Sequence, residues 1–194
     1  VIANPYSEIL LDEFEKANPK ILDLFLQILD EGRLTDNLGR TVSFNSAIII
    51  ATSNAGSEYI RELYKSGVSS DVKTKLTEKL LHDGVFKPEL LNRFDDIVVF
   101  NPLSQTEAAK VSQLFLEEVI ERAKEKQITL TYDQAVCNYI AESSYSIEFG
   151  ARNIKRFIEQ SVENQLSKLI LSHDLTAGES AVIMIENGNL VIKT

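Results

Sequence analysis

Apolar positions fall into two regimes along this chain. Up to about residue 101 they come in short, dense runs. Residues 9–11 are Ile-Leu-Leu, residues 47–51 are Ala-Ile-Ile-Ile-Ala, and residues 97–100 are Ile-Val-Val-Phe. Such runs, bounded by polar stretches, predict buried strands. Between the first two, Asn18-Pro19 opens a helix whose first turn suits Pro19, with Ile21, Leu24, Phe25, Ile28 and Leu29 at helical spacing as its core face. Residues 32–40 are polar and turn-rich, with two glycines. Short apolar runs separated by helical segments predict an α/β unit with parallel strands.

Asn101-Pro102 marks a boundary, so residues 1–101 and 102–194 read as two domains. Beyond it the spacing is helical. Ser104 and Glu107 match a capping box, and the helix they start is expected to run to about Lys126 with Val111, Leu114, Phe115, Val119 and Ile120 on one face. Its charge run, 117–126, reads as a solvated face. A second helix is expected over 133–142. A third starts near Gly150 and carries Ile154, Phe157, Ile158, Val162, Leu166, Leu169 and Ile170. At the end, 181–185 and 190–192 flank Asn187-Gly188, a strong hairpin signal. The predicted fold class is therefore α/β: a parallel-sheet core followed by a small helical domain ending in a β-hairpin.

Composition changes this picture little. The 194 residues carry a formal net charge of −9, which argues against a broad nucleic-acid footprint. No apolar run is long enough to span a bilayer. The one cysteine, Cys137, excludes an internal disulfide, suits a reducing cytoplasm, and sits in an apolar helical stretch as a small hydrophobe would. The two histidines, His82 and His173, lack metal-ligand spacing.

The chemistry-bearing residues begin with Asp12 and Glu13. An apolar strand leading into two adjacent carboxylates is how a strand reads when it delivers acids to the rim of a nucleotide site. In such a site one acid holds magnesium and the next polarises the attacking water. A plain strand end before an acidic loop is the alternative.

The wider wording resembles the AAA+ ATPases of the Clp family, specifically the second ATPase module of the two-ring protein unfoldases (the ClpB and ClpC types), from the Walker B strand to the C-terminal lid. The resemblance covers essentially the whole chain. Its blocks are Pro5-Tyr6-Ser7 followed by Leu10-Leu11-Asp12-Glu13-Phe14-Glu15-Lys16-Ala17-Asn18-Pro19, then Leu26-Gln27-Ile28-Leu29-Asp30-Glu31-Gly32-Arg33-Leu34-Thr35-Asp36, Gly39-Arg40-Thr41-Val42, Thr52-Ser53-Asn54, Pro88-Glu89-Leu90-Leu91-Asn92-Arg93-Phe94-Asp95, and Phe149-Gly150-Ala151-Arg152. Each block is weak alone; in this order they are specific.

The resemblance implies ATP and Mg2+ as cofactors. It assigns Asp12 to the metal, Glu13 to the water, Asn54 to the sensor 1 position, Arg93 to an arginine finger acting on a neighbouring subunit's ATP, and Arg152 to the sensor 2 position of the lid. Local alternatives are helix capping for Asn54, a salt bridge to Asp95 or Asp96 for Arg93, and Lys155 or Arg156 as competitors of Arg152. Residues 32–40 match the region of a second pore loop, with a simple strand connection as the alternative. The function implied is an ATP-driven protein unfoldase or disaggregase. It would act as a homo-oligomeric, hexameric ring in the cytoplasm on unfolded or aggregated protein, without nucleic acid or membrane.

A regulatory subunit of a Clp protease and a non-catalytic assembly module are the other readings. Ser66-Gly67-Val68 and Asp83-Gly84-Val85 lack the hydrophobe before glycine expected of a peptidase-docking loop, although a Clp peptidase or adaptor stays a candidate partner. No segment fits G-x-x-x-x-G-K-[ST]. In the family that loop and the aromatic pore loop lie upstream, and the loop's strand separates the strands at 97–100 and 48–51. The expectation is a sheet with a gap or an exposed edge, and a chain that alone binds ATP poorly and does not hydrolyse it.

Overall fold

The computed structural model describes residues 1, 2 and 4–194 and divides them into two compact units, Val1–Asn101 and Pro102–Thr194.

In the first unit, strands β1 (Glu8–Leu11) and β4 (Ile48–Ala51) pair in parallel, with Leu11 opposite Ala51. Leu11 and Ala51 face a core centred on Phe14, Leu76, Leu80, Phe86 and Leu90. The other face of this sheet is open. Leu10 is 61% and Ile48 66% exposed, so the expectation of strands buried on both sides holds for one side only. Residues 97–100 form no strand. They have no neighbouring strand among the described residues to supply a ladder; the Ile97 N–H turns instead to the Asp96 carboxylate at 2.8 Å, and Phe100 is 87% exposed.

Helix α1 (Pro19–Glu31) starts as its sequence dictates: the Asn18 side chain accepts the Lys20 N–H and Pro19 takes the first turn. Its core face is corrected. Ile21 and Leu24 are exposed, whereas Leu22, Phe25, Leu26 and Leu29 pack on the core and Ile28 is buried. Two overlapping apolar stripes run along this helix, and spacing alone does not choose between them.

The stretch after α1 is an ordered hairpin of β2 (Arg33–Thr35) and β3 (Thr41–Ser43). Asp36 locks its tip, accepting the N–H groups of Leu38 and Arg40 and pairing with the Arg40 guanidinium at 2.7 Å. These bonds hold the Asp36 carboxyl below its usual range. Helices α2 (Ser57–Lys65), α3 (Val72–His82) and α4 (Pro88–Leu91) complete the unit.

The second unit has its own core, built on α5 (Gln105–Glu125), α6 (Gln134–Ser144) and a long helix interrupted by a π turn. The capping box at Ser104 and Glu107 is present in full. On α5, Leu114 is corrected to the surface (60% exposed), whereas Val119 is buried and Val111, Phe115 and Ile120 pack against the core as expected, beside the buried Ala108, Ser112, Leu116 and Ala123. Ala108, Ser112 and Ala123 extend this inner face beyond the large apolar residues that the sequence pattern singles out.

The long helix is α7 (Ala151–Ile158), a π turn over Glu159–Glu163 and α8 (Asn164–Leu171). Gln165 clamps this turn, donating to the carbonyls of Ser161 (2.6 Å) and Leu190 (2.7 Å). Strands β6 (Ser180–Glu186) and β7 (Asn189–Lys193) form the expected hairpin. A strand absent from the sequence reading, β5 (Thr129–Tyr132), adds in parallel to β6. Cys137 is fully buried within the core, and burial pushes its thiol up.

Candidate functional site

The register of β1 against β4 builds the site. With Leu11 opposite Ala51, the residues that follow, Asp12 and Thr52, leave their strands side by side at the C-terminal end of the sheet. The Thr52 hydroxyl donates to a carboxylate oxygen of Asp12, and the Thr52 N–H donates to the Leu11 carbonyl at 2.8 Å. The Glu13 N–H reaches Thr52 Oγ1 at 3.3 Å, and the Phe14 N–H reaches the Thr52 carbonyl at 2.9 Å.

Glu13 is in the left-handed region (φ 52°, ψ 48°), where the strand turns into a short 3-10 turn, Phe14–Lys16. That turn drives Phe14 into the core. The ring is 5% exposed and meets Phe25, Phe86 and Phe94 at centroid distances of 5.6, 6.2 and 6.3 Å. The two carboxylates before it stay at the surface. Glu13 pairs with Lys16 at 2.9 Å, which holds the Lys16 ammonium above its ordinary range.

Asn54 follows two residues after Thr52. Its main-chain N–H donates to Glu15 Oε1 at 3.2 Å. Its side chain does not cap α2: the residue before that helix is Gly56, and Asn54 contributes only its carbonyl, to the Ser57 N–H at 3.2 Å. Asp12, Glu13 and Asn54 are thus gathered at one end of the sheet.

Arg93 lies beyond α4 in the same unit. Its guanidinium pairs with Asp30 in the last turn of α1, not with Asp95 or Asp96; Lys73 takes Asp96. That last turn carries two acids and no base, an unfavourable end of the helix dipole for negative charge, so Arg93 supplies the missing cation. Arg152 sits in the first turn of α7, exposed and without an ion pair among the described residues; Lys155 and Arg156 are exposed likewise.

Sequence reasoning gave no role to Thr52, Glu15 or Asp30. Thr52 was findable, because pairing the two apolar runs in parallel places it beside Asp12. Asp30 was not, since 63 positions separate it from Arg93.

Among the described residues, no three His, Cys, Asp or Glu side chains converge on one metal position. A single hard carboxylate such as Asp12, with one oxygen steadied by a hydroxyl, fits Mg2+, which keeps waters and phosphate oxygens in its shell. No helix among the described residues is long and apolar enough to cross a membrane. A groove of about 440 Å3 between α5 and α6, lined by Gln105, Lys110, Gln113, Gln134, Asn138 and Glu142, contains none of these site residues.

Two paired parallel strands with acids at their C-terminal end form the arrangement at which α/β folds place their ligand sites, and a separate, mainly helical unit follows. The pattern of the AAA domain (Cdc48 subfamily) matches residues 1–97, and that of the C-terminal, D2-small domain, of ClpB protein matches residues 103–183. The chain belongs to the AAA domain family.

It is 41% identical over 188 residues to the chaperone protein ClpB of Malacoplasma penetrans (strain HF-2), covering 97% of this chain and 25% of that protein. The ClpB of Clostridium tetani (strain Massachusetts / E88) is 42% identical over 189 residues, 97% of this chain and 22% of its own length. That of Meiothermus ruber is 44% identical over 174 residues, 90% and 20% respectively. The chain spans about a fifth to a quarter of the length of these relatives.

Proposed function

We propose that this chain supplies the metal-binding, water-polarising and sensing residues, and the lid, of an ATP-driven protein disaggregase. It would work as a hexameric ring in the cytoplasm on unfolded or aggregated protein. The observation that carries the reading is the gathering of Asp12, Glu13 and Asn54 at the C-terminal end of the β1–β4 pair, tied together through Thr52 and Glu15. The similarity to chaperones named ClpB supports the chaperone over the protease-subunit and assembly-module readings.

In this reading Asp12 holds Mg2+, which when bound offsets charge on the ATP phosphates. Glu13 takes up the proton side of the attacking water, and Lys16 must release it to do so. Asn54 orients that water, and Arg152 senses the phosphates from the lid. Arg93 leaves Asp30 to reach a neighbour's ATP, where a cation stabilises charge on the transferring phosphoryl group.

The test places this chain in the Malacoplasma penetrans ClpB in exchange for its matching 188 residues. The chimaera is expected to hydrolyse ATP and lose turnover with Glu13→Gln, whereas the 194-residue chain alone shows none. Turnover that survives Glu13→Gln refutes the assignment.

A further inference from the structure

Glu15 stands two residues beyond Glu13, inside the 3-10 turn. Its Oε1 accepts the Asn54 N–H at 3.2 Å. Its Oε2 is shut off from water and has no hydrogen-bond partner among the described residues. A carboxylate oxygen in that position is costly, because desolvation penalises the charge and no donor offsets it. A surface acid would swing out to solvent or to the neighbouring ammonium. Glu15 does neither: Lys16 pairs with Glu13, and Glu15 stays turned towards the 52–54 segment.

The bonds between the two segments run in step. Residues 12, 13 and 14 all bind Thr52, and Glu15 alone in this turn reaches Asn54. The Thr52 bonds set the acids. The Glu15 bond sets the residue that must stand at a fixed distance from them.

We propose that Glu15 is a positioning residue, whose carboxylate grips the Asn54 main chain and so fixes Asn54 relative to Asp12 and Glu13. The functional half of this statement rests on the ATPase reading above; the geometric half does not.

Two measurements separate them. In the 194-residue chain, amide exchange by NMR is followed for the wild type, Glu15→Ala and Glu15→Gln. The Asn54 amide is expected to exchange about tenfold faster or more in Glu15→Ala and to stay within about twofold of wild type in Glu15→Gln, which keeps an acceptor at Oε1. The Thr52 amide, bonded to Leu11, should move by less than about twofold in either variant. Unchanged Asn54 exchange in Glu15→Ala, or equal acceleration at Thr52, overturns the grip.

In the chimaera, Glu15→Ala is expected to lower kcat about tenfold or more with KM for ATP within about twofold, and Glu15→Gln to restore most of kcat. If Glu13→Gln abolishes turnover while Glu15→Ala leaves kcat intact, the positioning role falls and the ATPase reading stands. If Glu13→Gln leaves turnover intact, the ATPase reading falls and the exchange result alone decides the grip.

Discussion

Replacing Phe14 by alanine tests whether the acid turn is anchored from below. The ring is 5% exposed and touches three other phenylalanines, edge-on to Phe25 and Phe94 and stacked on Phe86. Truncating a buried phenylalanine costs about 3–5 kcal/mol, transfer and cavity together. A domain is typically stable by only about 5–15 kcal/mol, so this loss is a large part of the first unit's stability.

The assay is hydrogen exchange read by mass spectrometry on the whole chain. At 1.4 kcal/mol per decade, peptides spanning β1, α1 and β4 should exchange about 10²- to 10⁴-fold faster. Peptides from α5 and α6, whose core holds no residue of the first unit, serve as the internal reference. Phe14→Leu keeps much of the volume and should fall between wild type and Phe14→Ala. An acceleration below about tenfold in Phe14→Ala would mean that the site collapses around the gap or that the turn is held elsewhere, and the anchoring argument fails.

Gly32, at φ 64°, ends α1, and a Cβ there would meet Asn45 Oδ1 at 1.7 Å; Gly32→Ala should destabilise by more than about 1 kcal/mol in urea titration, with Asn45→Ala recovering part of the loss. Cys137, fully buried and with its thiol pushed up by burial, should resist a disulfide reagent in the native chain and react fully in guanidinium chloride. Glu107 is held below its ordinary value of 4.5, first by the Ser104 N–H and then by its hydroxyl. Its contribution is complete above 4.5 and is lost as pH falls through the lower folded value. The Tm gap between wild type and Glu107→Ala should therefore hold above pH 4.5 and narrow as the pH is lowered below it.

What the sequence makes legible here is what short-range chemistry decides. The capping box at Ser104, the Asn18-Pro19 helix start and the Asn187-Gly188 hairpin each depend on a few adjacent residues, and each is found where its chemistry puts it. The misses depend on partners far along the chain. Residues 97–100 have strand composition but lack a ladder neighbour. Thr129–Tyr132 has only four residues, and becomes a strand because Ser180–Glu186 lies beside it. The hairpin at β2 and β3 is polar, and its order comes from Asp36, one side chain satisfying two backbone donors. In the site, the two acids announce themselves as neighbours after an apolar run, whereas the Arg93–Asp30 pair and the Glu15–Asn54 bond exist only once the chain has folded.

The conformation of Glu13 bears on why a glutamate stands there at all. A left-handed backbone costs an L-residue with a Cβ about 1–2 kcal/mol, and glycine or asparagine would take it with less strain. The burial of Phe14 one position later, worth several kcal/mol, more than offsets that cost, and the Phe14 N–H bond to Thr52 adds a smaller contribution. Neighbours therefore enforce the turn, and the residue at its apex contributes nothing to it through its side chain beyond an exposed pair with Lys16, an interaction of small worth. A carboxylate kept at a strained apex, beside a second carboxylate and at the end of a parallel strand pair, is placed against its own conformational preference. Backbone strain of this kind gathers where chemistry needs a particular group at a particular point. This supports the assignment of Glu13 to the water rather than to the fold, and it makes Glu13→Gln, which alters charge without altering the turn, the substitution that separates the two.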